Sequence, residues 1–229
     1  RVFFEKNNFN NINNFFNLKI FNNFLKFNFI KEDNVKLSDG FIRSRLINSP
    51  LQGVISFKPN FFSRLDFEPS NLNMKKLFPL IQNFFFSNND INLSLIKKMN
   101  GTFNFKSKFK GTITNRNGEV LFKNFKVGKN KSLHFSAKII GFGKTGKIQF
   151  SLVKNVKYKK GVSKKIEIIG FLIPSNTKVI FEQLLIDGNK LSTIEVKEYQ
   201  NKFENNLTKG SLANIFDANK IDRYFKNLF

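Results

Sequence analysis

The sequence predicts a mainly β protein: an antiparallel sheet with a short mid-chain helix and an amphipathic C-terminal helix. Three features indicate this: alternating apolar and polar residues, frequent short turn signals, and two stretches with helical periodicity. The alternation is clearest over 103–110, where phenylalanines occupy one parity and lysines the other. Because successive side chains of a strand point to opposite faces, this stretch predicts one phenylalanine face and one lysine face.

The N-terminal part of the chain predicts a less regular region of the sheet. Residues 1–30 are rich in Phe and Asn and mix two periodicities, so short strands and a disordered low-complexity tract both stay open. Asp39-Gly40 predicts a turn, followed by a strand over 41–47. Residues 53–58 and 62–67 predict a hairpin.

The mid-chain helix is predicted at 73–86, because apolar residues recur there at helical spacing. Those residues are Met74, Leu77, Phe78, Ile81 and Phe85. Pro79 interrupts the pattern and is expected to kink or shorten the helix. Asn88-Asn89-Asp90 predicts a loop after it.

A meander of antiparallel strands is predicted from Ile91 to Glu198. Gly, Asn or Pro interrupts this stretch at short intervals, and strands joined by such short turns are antiparallel neighbours. The predicted strands lie near residues 102–114, 119–127, 131–142, 147–157, 164–173, 177–186 and 190–199. Apolar residues at helical spacing then predict a C-terminal helix over 211–228.

We therefore predict one sheet domain over 1–204, less regular over 1–98 and a meander over 99–204. Residues 205–229 form a predicted C-terminal helical segment.

The chain is strongly basic, with 39 Lys and Arg against 16 Asp and Glu and a formal net charge of +23. This excess favours anionic partners such as nucleic acid or anionic lipid head groups. The 32 phenylalanines, the many Asn, Lys and Ile, and the absence of Trp are also typical of an AT-rich genome. Mutational bias is therefore an alternative explanation for the charge.

No residue pattern predicts an enzyme, a metal site or a cofactor. The chain has no cysteine, which excludes disulfides, Cys-based zinc sites and thiol nucleophiles. Gly141–Gly146 matches the G-x-G-x-x-G pattern, but a β run follows it rather than a helix, so it predicts a turn. His134 is the only histidine, and its parity places it on the lysine face.

The sequence contains no apolar run of 18 residues and begins at Arg1 rather than at a methionine. We expect the chain to be a fragment, whose membrane association would depend on an anchor in missing N-terminal sequence.

The phenylalanine face has three candidate uses. It can be closed by a second sheet or a helix as an ordinary core. It can instead line a curved trough that holds acyl chains. Nucleic-acid binding is less favoured, because base stacking and phosphate contacts need one surface, whereas alternation separates Phe from Lys.

The strand rhythm over 101–127, with its Asn117-Gly118 turn, resembles the C-terminal region of AsmA-like proteins. The likeness continues at 133–137 and 168–174 and covers residues 40–229. It implies an elongated, curved, groove-like sheet on the periplasmic side of the inner membrane of a bacterial envelope. It also implies a bridge-like lipid-transfer function with phospholipid or another anionic lipid as partner. The resemblance also implies an N-terminal anchor helix, which we expect in the missing sequence because residues 1–229 show none.

We accordingly predict that acyl chains contact one apolar face, where each buried methylene contributes about 0.8 kcal/mol. The predicted lining residues are Phe103, Phe105, Phe109, Val120, Phe122, Leu133, Phe135, Ile148, Phe150, Ile166 and Ile168.

Overall fold

A computed structural model describes residues 2–5, 14–72, 74–87, 90–106, 110–127, 133–157, 162–176 and 178–208, and residue 225. Within these residues, strands form a single 15-stranded sheet accompanied by three α-helices. The fold is mainly β, and the sheet is curved and groove-like, as the sequence predicts.

The N-terminal half of the sheet is an antiparallel meander of six strands. They are β1 (Val2–Glu5), β2 (Asn14–Ile20), β3 (Asn23–Lys31), β4 (Val35–Arg43), β5 (Ile47–Ser56) and β6 (Phe62–Phe67). A short strand, β7 (Asn71–Leu72), pairs with β5 beside β6. In the described part of residues 1–30, the chain is therefore strand rather than a disordered tract.

A helical crossover then separates the two halves of the sheet. It contains α1 (Met74–Phe86), which the sequence predicts, and α2 (Asp90–Lys98), which it does not. The next strand, β8 (Asn100–Lys106), lies parallel to β6. The prediction of a wholly antiparallel sheet is therefore wrong at this pair, because parallel neighbours need a long crossover rather than a hairpin.

The C-terminal half is a second antiparallel meander. Its strands are β9 (Lys110–Arg116), β10 (Glu119–Val127), β11 (Leu133–Ile140), β12 (Lys147–Lys157), β13 (Ser163–Ile173), β14 (Lys178–Ile186) and β15 (Asn189–Lys190). The glycine-rich segment before β12 forms a 3-10 turn at Gly143–Thr145, which confirms the turn prediction.

The predicted strand at 190–199 is wrong, because α3 (Thr193–Thr208) occupies that stretch. Ser192 and Glu195 form a capping box at its start. The Ser192 backbone N–H donates to Glu195 Oε2 at 2.8 Å, and the Glu195 N–H donates to Ser192 Oγ at 3.4 Å. These bonds satisfy donors that a helix N-terminus leaves unpaired. The predicted helix at 211–228 lies outside the described residues, apart from Phe225, which is helical and buried.

Asp39-Gly40 forms a bulge within β4 rather than the predicted turn. Asp39 adopts a φ of 49°, and the β4–β5 register shifts between Leu37 and Gly40. A Cβ on Gly40 would lie 2.3 Å from the Leu51 carbonyl oxygen, so the close approach of β5 requires glycine here. The predicted strand at 102–114 is likewise divided into β8 and β9.

Two buried clusters fix the helices to the sheet. Phe86 of α1 and Ile96 of α2 pack with Val120 and Ile139 at one end of β10 and β11. The second cluster joins α3 and Phe225 to strands β11–β14. Its members are Leu133, Leu152, Val156, Ile166, Ile168, Val179, Phe181, Leu184, Val196, Phe203 and Phe225.

Candidate functional site

One face of the sheet is apolar from β2 to β14, and we call it the apolar face. The cross-strand register identifies the residues of this face, because residues directly opposite one another on neighbouring strands project from the same side. In the N-terminal half, Phe16 is opposite Phe27 and Leu51 is opposite Phe67. Phe67 is paired across the parallel junction with Phe105. The face therefore continues without interruption between the two meanders.

All predicted lining residues that the structure describes lie on this face. The register pairs Phe103 with Ile113 and Ile113 with Phe122. Further along the sheet, the pairs Phe135–Leu152, Leu152–Ile168 and Ile139–Ile148 continue the same side. Val120, Leu133, Phe150 and Ile166 share this side by strand alternation. Phe109 lies outside the described residues.

Part of the apolar face is covered by helices, and we call this part the capped sector. Val120 lies beneath α1 and α2, whereas Leu133, Ile166 and Ile168 lie in the cluster beneath α3. Each of these four side chains is at most 2 % exposed. In the capped sector, the apolar face is therefore closed by helices as an ordinary core, which is the first of the three uses that the sequence left open. Phe122, Ile148 and Phe150 are half-buried at its margins.

The rest of the face, which we call the open sector, runs from β2 to the middle of β10. Three of its side chains, Leu37, Leu51 and Phe125, are buried, and in the described part of the chain they belong to neither helix-centred cluster. Ile113 packs at the edge of the cluster beneath α1 and α2. The half-buried side chains of the open sector include Phe16, Leu25, Phe27, Phe29, Leu65, Phe67, Phe103 and Phe105. Of the predicted residues, Phe103 and Phe105 belong to it, and Phe135 lies at its border with the capped sector.

Aromatic rings form two contacting groups within the open sector, one on β6–β10 and one on β2–β3. The Phe67 and Phe105 rings stack with centroids 5.5 Å apart, and the Phe105 and Phe125 centroids are 6.0 Å apart. On β2 and β3, Phe16 stacks on Phe27 at 4.8 Å. Aromatic pairs at these centroid distances are favourable, so the rings within each group stabilise one another.

Phe125 is an apolar-face residue that simple alternation misses. It has the opposite parity to Phe122, but the β10–β11 register shifts between these two residues. Asn124 adopts a φ of 54° there, and this β-bulge turns both phenylalanines to one side. Gly111 lies beneath the Phe125 ring, where a Cβ would meet ring atoms at 2.6 Å.

The opposite side, which we call the lysine face, carries a row of four basic residues. Register places Lys106 opposite Lys110, Lys110 opposite Lys126, and Lys126 opposite His134. We call these four residues the basic ladder. They line an open depression of about 630 Å³ together with polar residues such as Asn104, Thr112 and Ser136, and with Phe105, Phe135 and Val153.

Asp66 supplies a countercharge at one end of the ladder. Its Oδ2 accepts a bond from Lys106 Nζ at 2.6 Å, and its Oδ1 accepts one from Asn104 Nδ2 at 2.7 Å. Partial burial raises the pKa of Asp66, but these bonds and the charges of Lys106 and Arg64 outweigh it, so the pKa is lowered. The same hydrogen bond raises the pKa of Lys106.

The separation of Phe from Lys is incomplete, contrary to the prediction. On β2–β4 the lysine face also carries half-buried aromatic rings, among them Phe24, which is opposite Lys19 and Arg43, and Phe41, which is opposite Lys26. These residues line a second depression of about 840 Å³.

The described residues contain no group of three or more His, Cys, Asp or Glu side chains placed to hold a metal ion. None of the helices in this part of the chain has the length and apolarity that crossing a bilayer requires.

Comparisons with protein-family models, with curated proteins and with solved structures found no match to this chain. The functional argument therefore rests on the geometry of the two faces.

Proposed function

We propose that the open sector of the apolar face binds lipid acyl chains, and that the protein is a non-enzymatic lipid-binding segment. The observation that carries this proposal is the open sector itself: one uninterrupted apolar surface crosses the β6–β8 junction on a curved sheet. Large contiguous apolar surfaces are uncommon on soluble proteins and mark binding sites.

Acyl chains suit this surface better than a ligand with many polar groups. The open sector is lined by phenylalanine and leucine, and the charged groups of β8–β11 project from the other face. Each methylene that leaves water for such a surface contributes about 0.8 kcal/mol, so binding needs no specific polar contact. A chain can therefore move along the track without large barriers, as lipid transfer requires.

The resemblance of the sequence to AsmA-like proteins also supports a proposal about cellular location. We propose that the chain forms part of a bridge-like lipid-transfer protein on the periplasmic side of the bacterial inner membrane. Its partner is phospholipid or another anionic lipid. The capped sector, where α3 covers β11–β14, then terminates the apolar track on the C-terminal side.

Native mass spectrometry of the purified protein after incubation with phospholipid vesicles tests the proposal. The wild type is expected to retain phospholipid. Phe67→Asn removes a ring of the open sector, and burial of one such side chain corresponds to about a tenfold change in affinity. Phe62→Asn is the matched control, because Phe62 lies on the same strand but on the lysine face.

A wild-type protein that retains no phospholipid would contradict the proposal. Equal loss in the Phe67 and Phe62 variants, with both folded by circular dichroism, would also contradict it.

A further inference from the structure

The turn between β2 and β3 presents apolar side chains to solvent. Phe21 is 91 % exposed and Ile20 is 51 % exposed. Phe21 also adopts a φ of 50°, in the left-handed region. Two-residue hairpin turns of this kind favour Gly, Asn or Asp, which tolerate positive φ, and disfavour a bulky ring. The backbone at Phe21 is therefore strained. Within the described chain, packing of the Phe21 side chain does not offset this strain.

Cations surround this turn on the lysine face. Lys19, Lys26 and Arg43 are exposed, and they alternate across β2–β4 with the rings of Phe24 and Phe41. The depression that they line contains a single carboxylate, Asp39, which accepts a hydrogen bond from Asn28 Nδ2 at 3.0 Å. Three cations against one carboxylate give the surface a local positive charge.

We propose that the β2–β3 turn and its flanking cations form a docking site for anionic phospholipid bilayers. Ile20 and Phe21 enter the boundary between head groups and acyl chains, and Lys19, Lys26 and Arg43 contact lipid phosphates. Amphipathic surfaces bind membranes through this combination of buried apolar area and attraction to anionic lipids. Strain at an exposed position points to such a functional role, because internal stability does not account for it.

A bilayer fits this surface better than single-stranded nucleic acid. Nucleic acid uses ring faces along a groove for base stacking, and Phe24 and Phe41 alone would serve that purpose. The most exposed apolar side chains of this surface are instead those at the tip of the turn, Phe21 and the aliphatic Ile20. An aliphatic side chain gains nothing from a base stack but gains from entering hydrocarbon.

Cosedimentation with vesicles tests the docking site separately from acyl-chain binding. The wild type is expected to bind phosphatidylcholine vesicles that contain phosphatidylglycerol more tightly than pure phosphatidylcholine vesicles. Phe21→Asn is the decisive variant, because Asn tolerates the left-handed region and should fold at least as stably. Its affinity for the anionic vesicles is expected to fall by about tenfold or more.

The matched control is Phe57→Asn. Phe57 is 61 % exposed but lies in the β5–β6 turn, at the other end of the strands, so its loss should leave vesicle binding unchanged. Phe67→Asn, which tests the open sector, should also leave docking unchanged, so failure of one proposal is distinguishable from failure of the other. Lys26→Gln combined with Arg43→Gln should weaken binding to anionic vesicles only.

Unchanged vesicle binding by the Phe21 variant would overturn the proposal. Tight binding of a single-stranded oligonucleotide by a wild type that ignores vesicles would overturn it as well, in favour of a nucleic-acid surface.

Discussion

At the scale of single residues, the charge of Lys126 on the lysine face destabilises the folded protein. It lies directly between Lys110 and His134 in the basic ladder. Lys106, at the far end of the ladder, forms an ion pair with the Asp66 carboxylate. Like charges directly opposite each other on neighbouring strands are destabilising, so this arrangement raises the free energy of the folded state.

Lys126→Gln is therefore expected to increase the free energy of unfolding at low salt, by about 0.2–1 kcal/mol. The gain should shrink in high salt, because exposed charges are screened. Urea unfolding at two ionic strengths measures it. Lys123→Gln is the control on the same strand, since Lys123 is opposite Thr112 and favours the ionised form of Glu119. An equal gain in both variants would show that net charge, rather than the ladder, is responsible.

At the scale of elements, α3 decides how much of the apolar face is closed. It places Val196 and Phe203 over the strands that carry Leu184 and Ile168. Gln200 also accepts a hydrogen bond from the Phe181 backbone N–H at 2.9 Å, at an irregularity in β14. The start of α3 depends on the capping box, in which hydrogen bonds from Ser192 lower the pKa of Glu195.

Ser192→Ala is expected to lower the free energy of unfolding by about 0.5–2 kcal/mol, which is the usual effect of losing an N-cap. Amide hydrogen exchange should rise first in α3 and in β14 beneath it. The control is Ser175→Ala, because Ser175 is exposed in the β13–β14 turn. Unchanged exchange in α3 would show that packing on the sheet, rather than the cap, holds the helix.

The sequence predicts strands better than it predicts α3 or the parallel pair. Ile194 and Val196 alternate with polar residues, which favours a strand, but Ile194 is exposed and only Val196 packs on the sheet. The Ser192-Glu195 spacing was the signal that identifies the helix start. The β6–β8 pairing has no local signature, because it depends on the path of the helical crossover.

At the scale of the whole molecule, the structure divides one predicted face into a capped sector and an open sector. Alternation correctly predicts that Phe103, Val120 and Ile168 share a side, because parity is a local property of strands. It does not predict which of them are covered, since this depends on where α1, α2 and α3 pack. The open sector also includes β2 and β3, where the mixed periodicity of residues 1–30 left the strands uncertain at the sequence level.

The central claim is that acyl chains contact the open sector, and site-specific photocrosslinking tests it most directly. A photoreactive benzoylphenylalanine replaces Phe105, Phe27 or Phe62 one at a time, which preserves an aromatic ring at each position. The protein is irradiated with phospholipid vesicles, and adducts are identified by mass spectrometry. We predict phospholipid adducts at Phe105 and Phe27 of the open sector and none at Phe62 on the lysine face. Adducts of equal yield at Phe62, or none at Phe105 and Phe27, would contradict the account.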